Sequence, residues 1–412
     1  MKADDRLLHW AWVILATCFA NLFINYSVRL GYGVILPEMI KDLGINRTEA
    51  GSIFNAYLFT YVTVATFTGY VTDRLGARRI IAFCAFILGA GVLLMGTVKS
   101  LGSAYVFYGL VGLGATGMWG PVITVVQRWF AVRKRGLALG ILSTGFGLGF
   151  AVMGAVFPWI VRNYTWRHAW FFLGAGALIM VIVDAILLRS DPSDSGHRPW
   201  GEGGETAVGL GSKGLNAAEK SLSAIFRSRS FWLIGLSYFS ISYALYSVTT
   251  FMVDYARNQL GLPTETASYL ATVHGMCQVI GVLVILPLSD YLGRKKTIMI
   301  SNAVIALAVA GIIFSGGSVG MLYGSVGIMA VFYGVTFPIY GACAGDYFPR
   351  NVMATVIGAW TPFYGGGAIC SHWVSGIIRD SSGVYDKAFI VGVVMALVGL
   401  LLIVFVRRAE AD

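Results

Sequence analysis

The stretch that decides the fold is residues 69–79, Gly69-Tyr-Val-Thr-Asp-Arg-Leu-Gly-Ala-Arg-Arg79. It follows a long apolar run and combines an acid, a glycine and three arginines within seven residues. A second such segment, Asp290-Tyr-Leu-Gly-Arg-Lys-Lys296, lies 217 residues further along the chain and also follows an apolar run. Self-similarity at a fixed offset predicts that the chain contains two copies of one structural unit.

Apolar runs extend outward from both segments, with six before residue 189 and six after residue 230. Residues 189–230 are rich in glycine, serine and charge, which predicts a flexible linker with a short amphipathic helix near 217–227. We therefore expect an all-α membrane protein of twelve transmembrane helices, with six-helix halves at 1–188 and 231–412. The runs lie at 10–38, 50–72, 80–98, 103–127, 136–160, 168–188, 231–255, 267–289, 297–315, 319–343, 352–376 and 387–406.

The composition supports this fold class and excludes others. Of the 412 residues, 57% are hydrophobic and 12% are charged, about half the charged share of a soluble domain. Twelve membrane helices need roughly 240 apolar residues, close to the number present. A soluble enzyme, a disordered chain and a secreted disulfide scaffold are thus excluded. The five cysteines lie inside apolar runs without metal-ligand spacing, so we expect neither disulfides nor a metal site or cofactor.

The basic residues predict the orientation. Of the 30 lysines and arginines, 21 fall in the tails, the linker and the loops on the side of residues 69–79. Eight fall in the opposite loops, and the remaining one is Arg29, inside the first apolar run. Because basic loops face the cytoplasm, we expect both termini there, and the net charge of +10 does not indicate nucleic acid. The first apolar run has no cleavage site at its end, so we expect it to be a span.

Residues 69–79 resemble the cytoplasmic loop motif of the major facilitator superfamily, Gly-x-x-x-Asp-Arg-x-Gly-x-Arg-Arg. Residues 128–149, RWFAVRKRGLALGILSTGFGLG, are similar to the fifth-span signature of monocarboxylate transporters and oxalate/formate-type antiporters. The segment NYSVRLGYGVILPEM at 25–39 also resembles the monocarboxylate group, which places a cation at the position of Arg29. The resemblance covers nearly the whole chain and implies a secondary transporter that works by alternating access.

The two loop segments are candidate gates. Charge-assisted hydrogen bonds around an acid at a helix end can hold one side of a transporter shut. The alternative is that these charges only set topology and contribute little as surface pairs. The candidate gating residues are Asp73, Arg74, Arg78, Asp290 and Arg294.

Arg29 is the main candidate for substrate binding. A charge at bilayer depth costs about 2.5–3.5 kcal/mol or more and needs compensation. A guanidinium binds carboxylate through two parallel hydrogen bonds, which predicts an anionic substrate. The alternative is a structural ion pair with Asp254, and both roles are compatible. We expect Arg29→Gln to abolish transport without affecting membrane insertion.

Polar residues at helical spacing mark faces that avoid lipid. The first span carries Asn21, Asn25 and Arg29 four residues apart, and the seventh carries a stripe from Ser240 to Asp254. Helix–helix hydrogen bonding is the alternative role for the serines and threonines of these stripes. The candidate substrate-binding residues are Arg29, Asn25, Tyr243, Gln278, Tyr340 and Tyr364, and the candidate proton-coupling residues are Asp254 and His274. Asp184 is expected to be a charge at the membrane rim.

The fifth-span glycines are expected to allow close helix packing. They are Gly136, Gly140, Gly145, Gly147 and Gly149.

The sequence departs from the oxalate/formate group in its cations. Members of that group place an arginine in the eighth span and a lysine in the eleventh. In this chain the eighth span has no arginine or lysine before Arg294, and the eleventh span has none up to Gly376. One cation suits a monoanion better than a dianion. We therefore expect a monomeric plasma-membrane transporter that moves a small monocarboxylate, such as lactate or pyruvate, together with a proton.

Three other functions remain open from the sequence: an organic-anion exchanger without proton coupling, a drug or sugar carrier, and a membrane receptor. A pump is not expected, since no phosphate-binding loop occurs, and no cluster of residues suggests an enzyme.

Overall fold

The computed structural model describes residues 9–201, 226–348 and 353–406, and these form fourteen α-helices. The predicted helix near 217–227 lies almost entirely outside the described residues. The helices are α1 Trp10–Leu43, α2 Arg47–Leu75, α3 Ala77–Met95, α4 Leu101–Ala115, α5 Gly120–Trp129, α6 Val132–Asn163, α7 Trp166–Leu187, α8 Arg229–Thr249, α9 Met252–Asn258, α10 Thr264–Leu292, α11 Arg294–Ile313, α12 Val319–Tyr347, α13 Met353–Ser382 and α14 Asp386–Val404.

Ten segments have the length and mean hydropathy needed to cross a membrane, counting α4 with α5 and α8 with α9 as one segment each. The long helices α2 and α13, of 29 and 30 residues, are not among the ten. They pack against each other between the N-terminal and C-terminal sets of helices, so part of their surface faces protein rather than lipid. The described residues thus contain twelve membrane-length segments, and the predicted all-α membrane fold is confirmed.

Two spans are broken, which the sequence pattern did not predict. The fourth span is interrupted by a short 3-10 turn, Thr116–Met118, between α4 and α5. Pro121 stands in the first turn of α5, where its missing N–H has no helical partner to lose. The seventh span breaks between Thr249 and Met252. Such breaks turn backbone groups toward protein or a cavity.

The two loop segments have the same backbone geometry. Gly76 joins α2 to α3 with φ 84°, and Gly293 joins α10 to α11 with φ 86°. Residues that carry a side chain rarely adopt such backbone angles, so both turns favour glycine. We call the side of the molecule that carries these turns the motif side, and the other the opposite side.

The beginning of the linker is docked rather than loose. The chain around Trp200 forms a short parallel bridge with Phe130. Trp200 N donates to the Trp129 carbonyl at 2.9 Å, and its indole packs edge-on against Trp12 at 5.1 Å between ring centroids. The expectation of a flexible linker is therefore wrong for residues 189–201.

The glycines of α6 divide into two groups. A Cβ on Gly147 would collide with the Gly275 carbonyl of α10, and one on Gly149 would meet Ser27 N of α1 at 2.9 Å. Gly145 is in ordinary contact with α1. Gly136 and Gly140 face open space. The prediction of close helix packing is confirmed toward the opposite side and wrong for the two glycines nearest the motif side.

Candidate functional site

A cavity of about 510 Å³ lies between the N-terminal and C-terminal helices. Its wall comes from α1, α2 and α6 on one side and α8, α10, α12 and α13 on the other, and the broken fourth span adds Trp119. The lining includes Gly69, six residues before the end of α2, and Gly358, five after the start of α13. Both positions are near the motif side, so the cavity extends from the middle of the molecule toward that side.

Arg29 forms the charged part of the cavity wall. It lies near the middle of the 34-residue helix α1 and is 7% exposed. Its Nη2 donates to the Tyr246 hydroxyl at 2.6 Å, and its Nε has no hydrogen-bond partner. No acid among the described residues pairs with it. The guanidinium of this cavity-lining residue therefore keeps a donor that no described residue uses.

Four tyrosine rings surround this guanidinium. The Arg29 Cζ lies 5.5–5.9 Å from the ring centroids of Tyr26, Tyr57, Tyr61 and Tyr246. Aromatic faces attract a cation, and more strongly where water is excluded. The rings thus offset part of the cost of burying the charge without neutralising it, which leaves Arg29 able to attract an anion.

Of the six candidate binding residues, Arg29, Gln278 and Tyr364 line the cavity. The buried Gln278 Oε1 has no partner among the described residues, so this lining residue keeps an unused acceptor. Asn25, Tyr243 and Tyr340 are buried but do not line it. The Tyr340 hydroxyl instead lies 2.7 Å from Ser237 Oγ.

Two serines of the polar stripe in the seventh span bond within their own helix. Ser240 Oγ donates to the Leu236 carbonyl and Ser247 Oγ to the Ala244 carbonyl, both within α8. The cavity is instead faced by Tyr246, which lies beside this stripe. The alternative role of helix–helix hydrogen bonding is therefore wrong for these two serines, whereas Thr250 of the same stripe lies 2.9 Å from His372 Nε2 of α13.

Asp254 belongs to a contact on the opposite side and not to the cavity. It is fully buried and accepts hydrogen bonds from Arg47 Nε at 3.2 Å, Tyr385 Oη at 2.6 Å and Asn258 Nδ2 at 2.5 Å. The predicted alternative partner for Asp254, Arg29, is replaced by Arg47. Because Arg47 opens α2 and Asp254 lies in α9, the ion pair joins the N-terminal to the C-terminal helices.

Further polar contacts join the two sets of helices on the opposite side. Asp380 accepts from the backbone N–H groups of Arg47 and Thr48 at 3.0 and 2.8 Å, at the N-terminus of α2, where a helix favours negative charge. Arg257 pairs with Glu38 at 2.6 Å. These contacts, together with the Asp254 cluster, close the opposite side.

Two buried histidines lie between the cavity and the opposite side. His274 packs edge-on against Tyr333 of the cavity wall, and its Nδ1 has no partner. Its Nε2 lies 3.4 Å from Thr249 Oγ1. His372 is held at both ring nitrogens, by Thr250 Oγ1 at 2.9 Å and Asn55 Oδ1 at 2.7 Å.

The described contacts of Arg74, Arg78, Asp290 and Arg294 lie within their own set of helices. Arg78 donates to the Ala185 carbonyl, and Arg294 pairs with Asp290 at 2.6 Å. Arg74 is exposed and lies over the Tyr70 ring, while the Asp73 side chain lies outside the described part of the chain. These described contacts do not join the N-terminal to the C-terminal helices, in keeping with a cavity that extends toward this side.

Asp184 differs from its prediction as a rim charge. It is fully buried in α7 and accepts from Asn21 Nδ2 at 2.7 Å, and its Oδ2 has no partner. The prediction that Asp184 is a charge at the membrane rim is wrong, because α1 covers this face of α7.

Sequence reasoning missed the tyrosines around Arg29 and the role of Arg47. Tyr57 and Tyr61 are four residues apart on α2, a spacing that indicates one helix face, but nothing in the sequence links that face to Arg29. The sequence did carry a signal for where α2 begins, because Asn46 and Glu49 form a capping box. This signal places Arg47 at the start of the helix but does not reveal its partner.

Comparison with known proteins identifies the family. The family model of the Major Facilitator Superfamily matches residues 18–271 and 234–412. The chain resembles the crystal structure of a bacterial homolog of the human lysosomal transporter Spinster, with a TM-score of 0.72 and 15% identity, over 97% of this chain and 95% of that one. This likeness confirms the fold that the loop motif implied.

Three curated relatives span most of the chain. The hexuronate transporter of Bacillus subtilis is 24% identical over 96% of this chain and 94% of its own. The oxalate:formate antiporter of Oxalobacter formigenes is 24% identical over 96% and 91%, and monocarboxylate transporter 4 of Rattus norvegicus is 23% identical over 83% and 70%.

These relatives confirm the resemblance to the monocarboxylate and oxalate/formate group. All three are transporters by name. The chain is therefore a multi-pass membrane transporter, not an enzyme, and it belongs to the major facilitator superfamily.

Proposed function

We propose that the protein transports small organic anions, and specifically a monocarboxylate together with a proton, by alternating access. The observation that carries the proposal is Arg29, which lines the cavity, is buried without an acidic partner among the described residues and has an unpartnered Nε. The relatives support an organic anion as substrate, since all three are named as transporters of carboxylates.

The charge balance of the cavity supports a monoanion. Arg29 is the only lysine, arginine, aspartate or glutamate among the described lining residues. A carboxylate that accepts from Nε and one Nη nitrogen would neutralise it through a charge-assisted pair. A second carboxylate would have no cation to meet and would lose its hydration.

His274 fits the proton step better than Asp254. Its ring touches the cavity wall through Tyr333, and its Nδ1 is free to take a proton. Asp254 is already occupied by three donors on the opposite side. We therefore assign the proton to His274 and give Asp254 a role in closing the opposite side.

The expected cycle uses two rigid halves. Residues 1–188 and 231–412 rock about the cavity, and residues 189–230 connect them. With the motif side and both termini in the cytoplasm of a plasma-membrane protein, the structure corresponds to the state from which substrate exchanges with the cell interior. Opening outward requires the Arg47–Asp254 pair to break and the motif-side residues to meet.

Transport by purified protein in liposomes tests this function. Labelled lactate, pyruvate, formate and oxalate are offered with and without an inward proton gradient. We expect the monocarboxylates to accumulate only with the gradient and oxalate not to accumulate. One proton with one monoanion moves no net charge, so an imposed membrane potential should not change the rate.

The variant His274→Gln tests the assignment of the proton. It should lose gradient-driven accumulation and keep exchange of internal for external substrate, because Arg29 is intact. Counterflow that is indifferent to the gradient in the wild type would instead support an anion exchanger, the function named for the Oxalobacter relative.

A further inference from the structure

The cavity wall contains a closed belt of aromatic rings that begins and ends at Arg29. From Arg29 the belt passes through Tyr26 to Phe146, with centroids 4.3 Å apart, and then to Trp119 at 4.9 Å. All of these residues line the cavity.

The belt returns to Arg29 through the C-terminal helices. Phe337 packs edge-on against Trp119 at 5.4 Å and lies 6.2 Å from Tyr364. Tyr364 is 6.0 Å from Tyr246, whose hydroxyl accepts from Arg29. Six rings and one guanidinium thus enclose one space, with three rings from each set of helices.

The belt is far larger than a lactate-sized ligand needs. Specific sites bury most of the surface of the ligand they bind. A three-carbon acid held by Arg29 would fill only a small part of a cavity of about 510 Å³. A ligand that pairs with Arg29 and also contacts the belt must carry a larger apolar group attached to its carboxylate.

The far end of the belt is unsuited to hydroxyl groups. Phe146 and Phe337 carry no polar side-chain atoms, and Trp119 carries one N–H. A sugar acid anchored at Arg29 would place hydroxyls against these three rings, where the rings of Phe146 and Phe337 offer no hydrogen-bond acceptor, and this is unfavourable. The polar lining residues Thr116, Thr361 and Gln278 are the remaining partners for such a ligand. A planar ring gains instead from edge-to-face and stacked contacts, each of which adds to simple apolar burial.

From this geometry we infer that the substrate is an aromatic monocarboxylate, with its carboxylate on Arg29 and its ring inside the belt. The inference rests on the proposed function and narrows its substrate class. Because the rings come from both sets of helices, an aromatic ligand would also bridge them and favour closure around it.

Binding to the purified full-length protein tests the inference, measured by calorimetry with five probes. Benzoate carries both features, cyclohexanecarboxylate has the bulk without the aromatic ring, and benzamide has the ring without the charge. Lactate is the small acid, and galacturonate is the hydroxylated one. We expect benzoate to bind about tenfold or more tighter than cyclohexanecarboxylate and lactate, and benzamide not to bind measurably.

Variants separate the belt from the cation. Phe337→Leu should remove most of the preference for benzoate over cyclohexanecarboxylate. Phe332→Leu, on the same helix but outside the cavity lining, is the matched control and should keep the preference. Trp119→Leu should lose it and Trp119→Phe should restore it, which distinguishes a lost ring from a damaged fold.

The outcomes are distinct. Equal affinity for benzoate and cyclohexanecarboxylate, or tighter binding of lactate or galacturonate, overturns the aromatic inference while the monocarboxylate function stands. Binding of benzamide as tight as benzoate, or failure of all four acids to bind, overturns the proposed function itself.

Discussion

Arg29 shows how one residue can be stable in the bilayer and still be available to a ligand. Its charge is met by a hydroxyl and four ring faces, which are neutral groups, and not by an acid. An acid would have satisfied the guanidinium and competed with substrate. The neutral shell lowers the cost of burial and leaves the stronger interaction, with a carboxylate, to the substrate.

Tyr246 is the neutral partner whose removal tests this idea. Tyr246→Phe removes the acceptor 2.6 Å from Arg29 Nη2 and keeps the ring. A hydrogen bond to a charged group contributes about 1.5–3 kcal/mol, so the ligand-free protein should melt at a lower temperature. Added benzoate should raise the melting temperature by more than in the wild type, since the carboxylate replaces the lost acceptor. An unchanged ligand-free melting temperature would show that the hydroxyl does not support the charge.

At the residue scale the sequence predicted Arg29 itself, because a lone charge inside a long apolar run is visible without a structure. It did not predict the surroundings of Arg29. Tyr26, Tyr61 and Tyr246 come from three helices, and their meeting point depends on how those helices cross. Tyr340 was selected by spacing along its own helix, which does not reveal whether a face points to a cavity or to Ser237.

Between elements, the close approach of α6 and α10 depends on small residues. Gly147→Ala would place a methyl group against the Gly275 carbonyl. Overpacking of this kind costs about 1–3 kcal/mol, so the variant should melt at a lower temperature and transport more slowly. Gly140→Ala on the same helix, where nothing lies within 4 Å, is the control and should be neutral or slightly stabilising. Equal behaviour of the two variants would contradict the packing at Gly147.

The contact between α2 and α9 is expected to hold the opposite side shut. Asp254→Asn removes the charge that Arg47 meets, and breaking a buried ion pair costs about 3–5 kcal/mol. Labelling of a cysteine placed at Ser375, which is buried in α13 close to the α2 contact at Gly376, should therefore become faster. The measurement is the rate of reaction with a membrane-impermeant maleimide.

A surface pair provides the control for that labelling. Glu265→Gln breaks the exposed pair between Arg162 and Glu265, which is worth about 0–1 kcal/mol, and should leave the rate unchanged. If Asp254→Asn abolished proton-driven uptake without faster labelling, Asp254 would carry the proton and the assignment to His274 would be wrong.

At the element scale the apolar runs predicted twelve segments whose positions agree with the helices to within several residues. The runs did not reveal the breaks at Thr116–Met118 and after Thr249, because both breaks lie inside apolar sequence. Only Pro121 marked the first of them. The docked linker was missed because a composition rich in glycine and serine does not show that Trp200 has an apolar surface to cover.

For the whole molecule, the distribution of basic residues predicts the orientation. A cysteine at exposed Ser195, in the linker, should react with an impermeant maleimide only after intact cells are permeabilised. A cysteine at exposed Lys99, in an opposite-side loop, should react without permeabilisation. The wild type, whose five cysteines all lie in membrane-length helices, provides the background. The reverse pattern would place the motif side outside the cell.

The arrangement of the whole molecule explains why the sequence could predict the class of transporter but not its gates. The repeated loop segments indicated the family and the motif side. The polar contacts that close the opposite side, from Glu38, Arg47 and Asp380, are single residues at helix ends. Their partners lie about 200 to 330 positions away in the chain, and only the packing of the two sets of helices brings them together.

The most direct test of the central claim, that Arg29 binds the substrate carboxylate, is uptake of labelled benzoate and lactate into proteoliposomes containing Arg29→Gln. Truncating one partner of a buried charged pair costs about 2–5 kcal/mol, so uptake at subsaturating substrate should fall about thirtyfold or more. The melting temperature and the amount of reconstituted protein should stay close to the wild type, and Arg29→Lys should retain part of the activity. Uptake by Arg29→Gln at a rate near that of the wild type would contradict the account.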